Sequence, residues 1–210
     1  ELSSIRECLD QLRSGVRSSP FADSVLDRLT QDYHPSGTFR KGFARWISRL
    51  FREYGLIVFD PLMGGYGSLL SHFFEIAVTK REPLIETLLE RNCRIDEAGY
   101  EPQVWIDSSE SLLFLLDGSR RYKLIWRNGR YHAKERPSLS FSTAELLELA
   151  RQEPHRMGVN VLLRPILQDY LFPTAFYVGG PSEIAYFAQL NAIADHWELE
   201  PVILPRAGFT

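Results

Sequence analysis

The sequence predicts an α/β protein that contains a βαβ unit, and three features of its C-terminal part support this prediction. Two short apolar runs, at residues 175–178 and 201–204, have the composition of buried strands. Between them, an amphipathic helix is predicted from Pro181 to about Trp197. Parallel strands need a crossover of this kind, and such crossovers are almost always right-handed.

The start of this helix is marked by Gly179, Gly180, Pro181 and Glu183. Glycine can adopt backbone angles that other residues avoid, and proline suits the first helical position because its missing N–H would have no partner there. Glu183 stands where a capping carboxylate belongs. The predicted buried face follows at spacings of three and four residues and comprises Ile184, Phe187, Leu190, Ala194 and Trp197.

Composition excludes several classes of protein. The 210 residues are 44% hydrophobic and 24% charged, which is ordinary for a globular chain that buries a core. A net charge of -3 gives no general attraction to nucleic acid or to an anionic membrane. No apolar run approaches the roughly 20 residues that span a bilayer. We therefore expect a soluble protein that uses neither as a partner.

The two cysteines, Cys8 and Cys93, are far apart and lack the spacing of a zinc site or a disulfide framework. This usage favours the reducing cytoplasm. The chain begins at Glu1 without methionine and ends at Thr210 just after an apolar strand, so we expect an internal fragment of a longer protein.

Three helices are predicted in the N-terminal part, at residues 2–16, 20–29 and 38–54. The third has an apolar side and a basic side, and the basic side is either a solvated surface or an anion site. Residues 56–60 are predicted to form a buried strand, after which Asp60 is either a turn residue or a site residue at the carboxyl end of the strand. The basic residues are Lys41, Arg45, Arg49 and Arg52.

The middle of the chain changes from helical to strand-like patterns. A glycine-rich connection at 63–67 precedes a helix at 69–91 that is interrupted at Glu82-Pro83. Short strands are predicted at 104–107, 112–116, 122–126 and 130–133, with an Asn128-Gly129 hairpin turn, which makes an antiparallel meander at about 100–136. A capping box at Ser142 and Glu145 begins another helix. We divide the chain into residues 1–66, a connective insertion at 67–157, and the βαβ part at 158–210.

No catalytic signature motif occurs, and the five histidines stand singly. Polar residues are instead concentrated around the βαβ unit. Arg164 lies in an apolar run, where an uncompensated buried charge would be costly, so it either pairs with Asp169 inside the protein or faces a substrate. The polar residues in question are Asn160, Arg164, Gln168, Asp169, Tyr186 and Gln189.

Several segments closely resemble the bacillithiol biosynthesis cysteine-adding enzyme family, the cysteine ligase of that pathway. The segments are Asn-Val-Leu-Leu-Arg-Pro from Asn160, Gln168-Asp169, Pro173, Gly-Gly-Pro-Ser-Glu-Ile-Ala-Tyr-Phe-Ala-Gln-Leu from Gly179, and Pro205-Arg206. A weaker resemblance covers Phe43-Ala-Arg, the segment 50–61 and the meander.

The resemblance implies a Rossmann-like core similar to nucleotidyltransferases and class I aminoacyl-tRNA synthetases, with connective insertions. A dimerising coiled coil would follow in the whole protein, outside this chain. The implied reaction forms an amide between the carboxyl group of cysteine and the amine of glucosaminyl-malate. ATP is expected by analogy with the fold, although the nucleotide signatures of the synthetases do not occur here. No metal site is predicted.

The resemblance also implies site residues. Arg164 and Arg206 would contact phosphate or carboxylate groups, since guanidinium groups bind such oxygens bidentately. Glu183 would orient an amine or only cap its helix, and Gly179, Gly180 and Ser182 would hold phosphate at the helix start or only permit tight packing. Substrate contacts are expected from Asn160, Gln168, Asp169, Tyr186, Gln189 and Arg206.

Two alternatives remain open at this point. The α/β unit could be a non-catalytic binding or assembly module whose basic helix docks an acidic partner. The same core could also serve another nucleotidyl-transfer or sugar-handling enzyme. If the ligase interpretation holds, we expect a cytoplasmic homodimer that acts on small molecules.

Overall fold

The computed structural model describes residues 4–16, 19–59, 66–172, 174–200 and 203–205. It divides into two compact units, residues 1–60 and residues 61–210. Asp60 and most of the glycine-rich connection lie outside the described residues, so the predictions made for them are not addressed by the structure.

The first unit is helical. Its elements are α1 (Ile5–Gly15), α2 (Ala22–Asp32), α3 (Phe39–Leu50) and a 3-10 helix (Arg52–Tyr54). Thr38 caps α3 by accepting a hydrogen bond from the backbone N–H of Lys41 at 3.3 Å, and Gly55 ends the 3-10 helix with a positive φ of 68°. All three predicted helices are confirmed.

The predicted strand at 56–60 is wrong for the residues that the structure describes. Residues 56–59 form no strand, and Ile57 is 83% exposed. The apolar side of α3 is also largely exposed, with Phe39 at 66%. An apolar run indicates a buried strand only when neighbouring strands cover it, and the described part of this unit contains none.

Tight packing in the first unit centres on Gly42 of α3, which lies against the ring of Tyr33. A Cβ atom at position 42 would come within 2.4 Å of that ring. Nearby, the carboxylate of the buried Asp32 lies 2.8 Å from a guanidinium nitrogen of Arg49 as an ion pair rather than an aligned hydrogen bond. One member of the predicted basic stripe is therefore used inside the unit.

The second unit combines helices with two sheets. Its helices are α4 (Gly67–Thr79), α5 (Arg81–Glu97), α6 (Thr143–Gln152), α7 (Leu163–Leu171) and α8 (Pro181–Ala194), with 3-10 helices at Pro154–Arg156 and Asp195–Trp197. Its strands are β1 (Glu110–Asp117), β2 (Arg120–Arg127), β3 (Arg130–Ala133), β4 (Arg136–Phe141), β5 (Met157–Val159), β6 (Tyr177–Gly179) and β7 (Ile203–Pro205).

The larger sheet is antiparallel throughout, with strand order β4-β3-β2-β1-β5. The Asn128-Gly129 turn is confirmed, since both residues have positive φ angles of 49° and 73°. The sheet also includes β4 and β5, which the sequence does not predict because half of β4 is polar and β5 has only three residues. The predicted strand at 104–107 is wrong: this segment forms no strand and leads into β1 as an extended loop.

The predicted interruption at Glu82-Pro83 is displaced to Lys80, which separates α4 from α5. Pro83 lies in the first turn of α5, where the backbone N–H groups have no intrahelical acceptor. A proline is therefore tolerated there without a break.

The βαβ unit is confirmed. β6 and β7 pair in parallel, with Tyr177 opposite Ile203 and Gly179 opposite Pro205, and α8 connects them. α8 is joined to the core at its C-terminal end, where the ring of Trp197 stacks on Phe73 of α4 with centroids 4.9 Å apart. Both side chains are almost completely buried.

The core of this unit also contains a buried tyrosine whose hydroxyl group is hydrogen-bonded. Tyr131 of β3 is 1% exposed and donates its hydroxyl proton to the carbonyl oxygen of Val78 at 3.0 Å. Burial raises the pKa of Tyr131 to about 12, so the hydroxyl remains a donor at all physiological pH values.

Substituting Gly42 tests the packing of the first unit. Gly42→Ala should lower the free energy of unfolding by about 1–3 kcal/mol, because the new methyl group overlaps the Tyr33 ring. Gly15→Ala is the matched control, since a methyl group added at position 15 would meet no atom within 4 Å. It should be neutral or stabilising by up to about 1 kcal/mol. Urea denaturation followed by circular dichroism measures both, and equal stability of the two variants would contradict the described packing.

Candidate functional site

Asn160 follows β5 and shapes the start of α7. Its backbone N–H donates to the carbonyl oxygen of Leu112 at 2.9 Å. Its side-chain Oδ1 accepts from the N–H groups of Leu162 and Leu163, at 3.0 and 3.1 Å. These bonds satisfy amides that have no helical acceptor, so Asn160 acts as a cap.

Arg164 is exposed on the first turn of α7, and of the two alternatives given for it, the internal pair with Asp169 is wrong. No carboxylate among the described residues lies within ion-pair distance of its guanidinium group. The reason is helical phase: Leu163, Ile166 and Leu167 face the core, which directs Arg164 and the exposed Gln168 to the opposite face. The apolar run therefore surrounds the arginine in sequence without burying it.

Asp169 is partly buried on the same helix. Burial raises the pKa of its carboxyl group, and a hydrogen bond with Thr174 acts in the opposite direction. Gln168 thus lies on the exposed side of α7 and Asp169 on a partly buried side, so the two do not form a single cluster.

Glu183 occupies the start of α8. One carboxylate oxygen accepts the N–H of Gly180 at 2.9 Å, and the other accepts the hydroxyl proton of Tyr177 at 2.8 Å. The bond from Gly180 contributes most to lowering the pKa of Glu183, followed by the bond from Tyr177, with a smaller contribution from the charge of Arg164. Both oxygens are used within the protein, as a capping carboxylate requires.

The carboxylate of Glu183 therefore already occupies the anion position at the glycine turn. Gly179 is buried at the end of β6, and the N–H of Gly180 is taken by Glu183. Ser182 is exposed in the first turn. A phosphate placed at this turn would meet the carboxylate of Glu183, so the residues present do not form a free phosphate cradle in the described arrangement.

Gln189 is fully buried and makes a bidentate contact with the backbone of Val104. Its Oε1 accepts the N–H of Val104 at 3.0 Å, and its Nε2 donates to the carbonyl oxygen of Val104 at 3.0 Å and to Oδ1 of Asn92 at 2.7 Å. These contacts hold the loop before β1 against α8 and α5. Its amide is thus engaged inside the protein, whereas Tyr186 is partly exposed and stacks on Phe187 with centroids 5.1 Å apart.

A groove of about 440 Å³ lies beside Arg164 and Asn160. We call it the basic groove, and its charged and aromatic lining comprises Trp105, Glu110, Phe114, Arg121, Lys123 and Arg164, with Asn160, Val104, Ile106, Val159 and Val161 completing it. The sequence interpretation brought only Asn160 and Arg164 to this place. The signal it missed is the alternation of β2, where Tyr122 and Leu124 are buried and Arg121 and Lys123 point to the other face.

The structure thus brings two groups of predicted residues together. Asn160 and Arg164 line the basic groove, and Gly179, Gly180, Ser182 and Glu183 meet at the start of α8, with Arg164 close enough for its charge to act on Glu183. Arg206 lies outside the described residues. Within the described part of the chain, no three His, Cys, Asp or Glu side chains are arranged to hold a metal ion, and no helix has the length and apolar character needed to cross a membrane.

A parallel βαβ unit with a glycine-rich helix start is a feature of α/β proteins of the Rossmann-like class. The family model described as "Bacillithiol biosynthesis BshC, N-terminal Rossmann-like domain" matches residues 1–207. The chain therefore belongs to the BshC family.

Similar full-length proteins support this membership. The chain is 33% identical over 201 residues to a protein of Solibacter usitatus, 31% over 208 residues to one of Prosthecochloris aestuarii and 31% over 207 residues to one of Bacillus cytotoxicus. Each is named "Putative cysteine ligase BshC". The alignments cover 95%, 99% and 97% of this chain but only 37%, 37% and 38% of those proteins. The chain thus spans well under half of their length.

The capping role of Glu183 predicts a dependence of stability on pH. Because the folded-state pKa is lowered, the stabilisation is complete above the unfolded pKa of about 4.3 and is lost as the pH falls through the lower folded value. Glu183→Gln should therefore be less stable than the parent at pH 7, and the difference should shrink below about pH 4.

Thermal unfolding at pH 7, 5, 4 and 3 measures this difference. The control is Glu86→Gln, an exposed change on α5 at a carboxylate without a hydrogen bond to any described residue. A difference for Glu183→Gln that stays constant or grows toward pH 3 would contradict the capping geometry.

Proposed function

We propose that the protein containing this chain is a ligase that joins cysteine to glucosaminyl-malate in bacillithiol biosynthesis. The observation that carries the proposal is membership of the BshC family over residues 1–207, together with relatives named as cysteine ligases. The named pathway of the family and the named activity of the relatives point to the same chemistry. The alternative of a non-catalytic module has no comparable support.

The chemistry constrains what the complete site must contain. Amide formation joins the carboxyl carbon of cysteine to an amine nitrogen with the formal loss of water. A carboxylate is a poor electrophile, because its negative charge is delocalised over both oxygens, so it must be activated before the amine attacks. The site must therefore stabilise negative charge on the activated carboxyl group and leave the amine of the second substrate unprotonated.

Arg164 is the residue of this chain that best suits the first requirement. Its guanidinium group is exposed, permanently charged and without an ion-pair partner among the described residues. It lines the basic groove, and its charge also acts on Glu183 at the start of α8. We assign it the role of contacting an anionic group of a substrate.

ATP is proposed as the activating substrate by analogy with the fold alone. The glycine turn does not support this assignment directly, since Gly180 already donates to Glu183. No described residue is therefore assigned to the nucleotide. The roles expected for Gly179, Gly180 and Ser182 remain predictions.

The physical setting of the enzyme is part of the proposal. Two widely separated cysteines suit a reducing compartment, so we place the protein in the cytoplasm. The proposed partners are the small-molecule substrates and a second copy of the complete protein. The homodimer rests only on the resemblance to the family.

Deleting the gene for the complete protein in its bacillithiol-producing host tests the proposal. The thiol should disappear and glucosaminyl-malate should accumulate, because the step that consumes it is blocked. Mass spectrometry of thiol-labelled extracts measures both compounds, and reintroducing the gene is the control. Unchanged bacillithiol in a strain without a second copy of the enzyme would refute the ligase assignment and favour an assembly module.

Arg164→Ala in the complete protein should reduce complementation of that strain and turnover in vitro by about ten- to a hundredfold. Hydrogen bonds to charged groups contribute about 1.5–3 kcal/mol, and about 1.4 kcal/mol corresponds to a factor of ten. The melting temperature should remain close to that of the parent, because the side chain is exposed. Arg127→Ala, an exposed arginine on β2 outside the basic groove, is the control. Parental turnover of Arg164→Ala would remove Arg164 from the site.

A further inference from the structure

The basic groove contains binding chemistry that the proposed ligase reaction does not assign. We propose that it is a binding site for a small ligand that carries at least two negative charges attached to a ring. The inference deepens the proposed function and rests on it for Arg164, which is assigned there to an anionic group of a substrate. It adds Arg121 and Trp105, to which no role has been given.

The charge balance of the groove favours an anion. Lys123 forms an ion pair with Glu110, which is 7% exposed, so these two charges largely compensate each other. Arg121 and Arg164 then remain, and neither lies within ion-pair distance of a carboxylate among the described residues. Two guanidinium groups in one concave surface provide several donors for phosphate or carboxylate oxygens.

Arg121 is also held in place before any ligand arrives. Its guanidinium carbon lies 4.3 Å from the ring centroid of Phe114, a cation–π contact on the adjacent strand. Lys123, directly opposite Phe114 in the sheet register, is held by Glu110. Fixing both side chains lowers the entropy that a ligand would have to offset on binding.

The backbone of β1 is distorted where it forms this groove. From Glu110 to Phe114 the strand advances four positions, whereas β2 advances only two, from Ile125 to Lys123. The bulge contains Leu112, a buried leucine with a φ of 63°. Its carbonyl oxygen accepts the N–H of Asn160, which also lines the groove.

A leucine in the left-handed region is strained, and strain of this kind is concentrated at functional sites. Here the bulge lies between two lining residues of the groove, Glu110 and Phe114, and the carbonyl oxygen of Leu112 links it to a third, Asn160. The distortion is thus tied to the shape of the groove.

Trp105 supplies the ring-binding surface. Its side chain is 78% exposed, yet its neighbour Val104 is fixed by the two hydrogen bonds to the buried Gln189. An exposed indole on an anchored backbone offers a flat apolar face at low entropic cost. A planar base or a sugar ring can stack there while its anionic groups contact Arg121 and Arg164.

Phosphate and carboxylate groups could both bind the two arginines, so pairs of probes are needed to tell a phosphate ligand from a carboxylate ligand. Calorimetry on the complete protein uses ATP and inorganic pyrophosphate as one pair, and phthalate and succinate as the other. Each pair compares a ring-bearing anion with a ringless one. The variants are Arg121→Ala, Arg121→Gln and Trp105→Ala, with Arg127→Ala on the same strand as the charge-matched control.

We expect ATP or phthalate to bind with a Kd below about 1 mM. Both Arg121 variants should weaken that binding about tenfold or more, and Arg127→Ala by less than about twofold, as expected for a lost charge-assisted contact of about 1.5–3 kcal/mol. Trp105→Ala should weaken the ring-bearing probe and leave its ringless partner unaffected. Tight binding of ATP alone identifies a phosphate ligand, and tight binding of phthalate alone a carboxylate ligand.

Three results would overturn the site: neither ring-bearing probe binds, the Arg121 variants bind like the parent, or Arg127→Ala causes an equal loss. Parental affinity of Trp105→Ala for the ring-bearing probe would overturn the role of the indole. Melting curves confirm that the exposed substitutions leave the fold intact. These outcomes are separate from the deletion phenotype, so the groove can fail while the ligase assignment holds, and the reverse.

Discussion

The second unit depends on the bidentate contact between the side chain of Gln189 and the backbone of Val104. A primary amide buried without partners would cost on the order of 1–3 kcal/mol, but this one is satisfied at both ends. The contact can form at only one position of the loop, because the N–H of Val104 must face Oε1 of Gln189 while its carbonyl oxygen faces Nε2. It therefore fixes where the loop before β1 lies against α8, which packing of apolar surfaces alone would define less sharply.

That constraint connects the two parts of the molecule from which the candidate site is built. α8 begins at the glycine turn with Glu183 and passes Gln189 before its end stacks on the core through Trp197. The loop held by Gln189 carries Trp105 into the basic groove. One helix thus positions the glycine turn at its start and, through Gln189 about two turns later, the loop that carries Trp105. Arg164 lines the groove, and its charge acts on Glu183 at the glycine turn.

Local signals in the sequence predicted those elements that depend on local chemistry. Gly179, Gly180 and Pro181 define the start of α8 because backbone angles and a missing N–H act within a few residues, and the Asn128-Gly129 turn is predictable for the same reason. The predicted strand at 56–60 failed because burial of an apolar run depends on partners elsewhere in the chain. The displaced break at Lys80 shows the same limit, since a proline in a first turn does not interrupt a helix.

The candidate site was less predictable because residue type does not specify direction. Arg164 was recognised as unusual in an apolar run, yet whether it is buried depends on the phase of α7 against the core. Sequence alone predicts Gln189 as a substrate contact, whereas in the structure its amide binds a backbone that is remote in sequence. Nothing in the local sequence distinguishes Arg121 and Lys123 from the other charged residues of β2. The structure places both in the basic groove beside the β1 bulge with its left-handed Leu112, and neither of these features has a sequence signature.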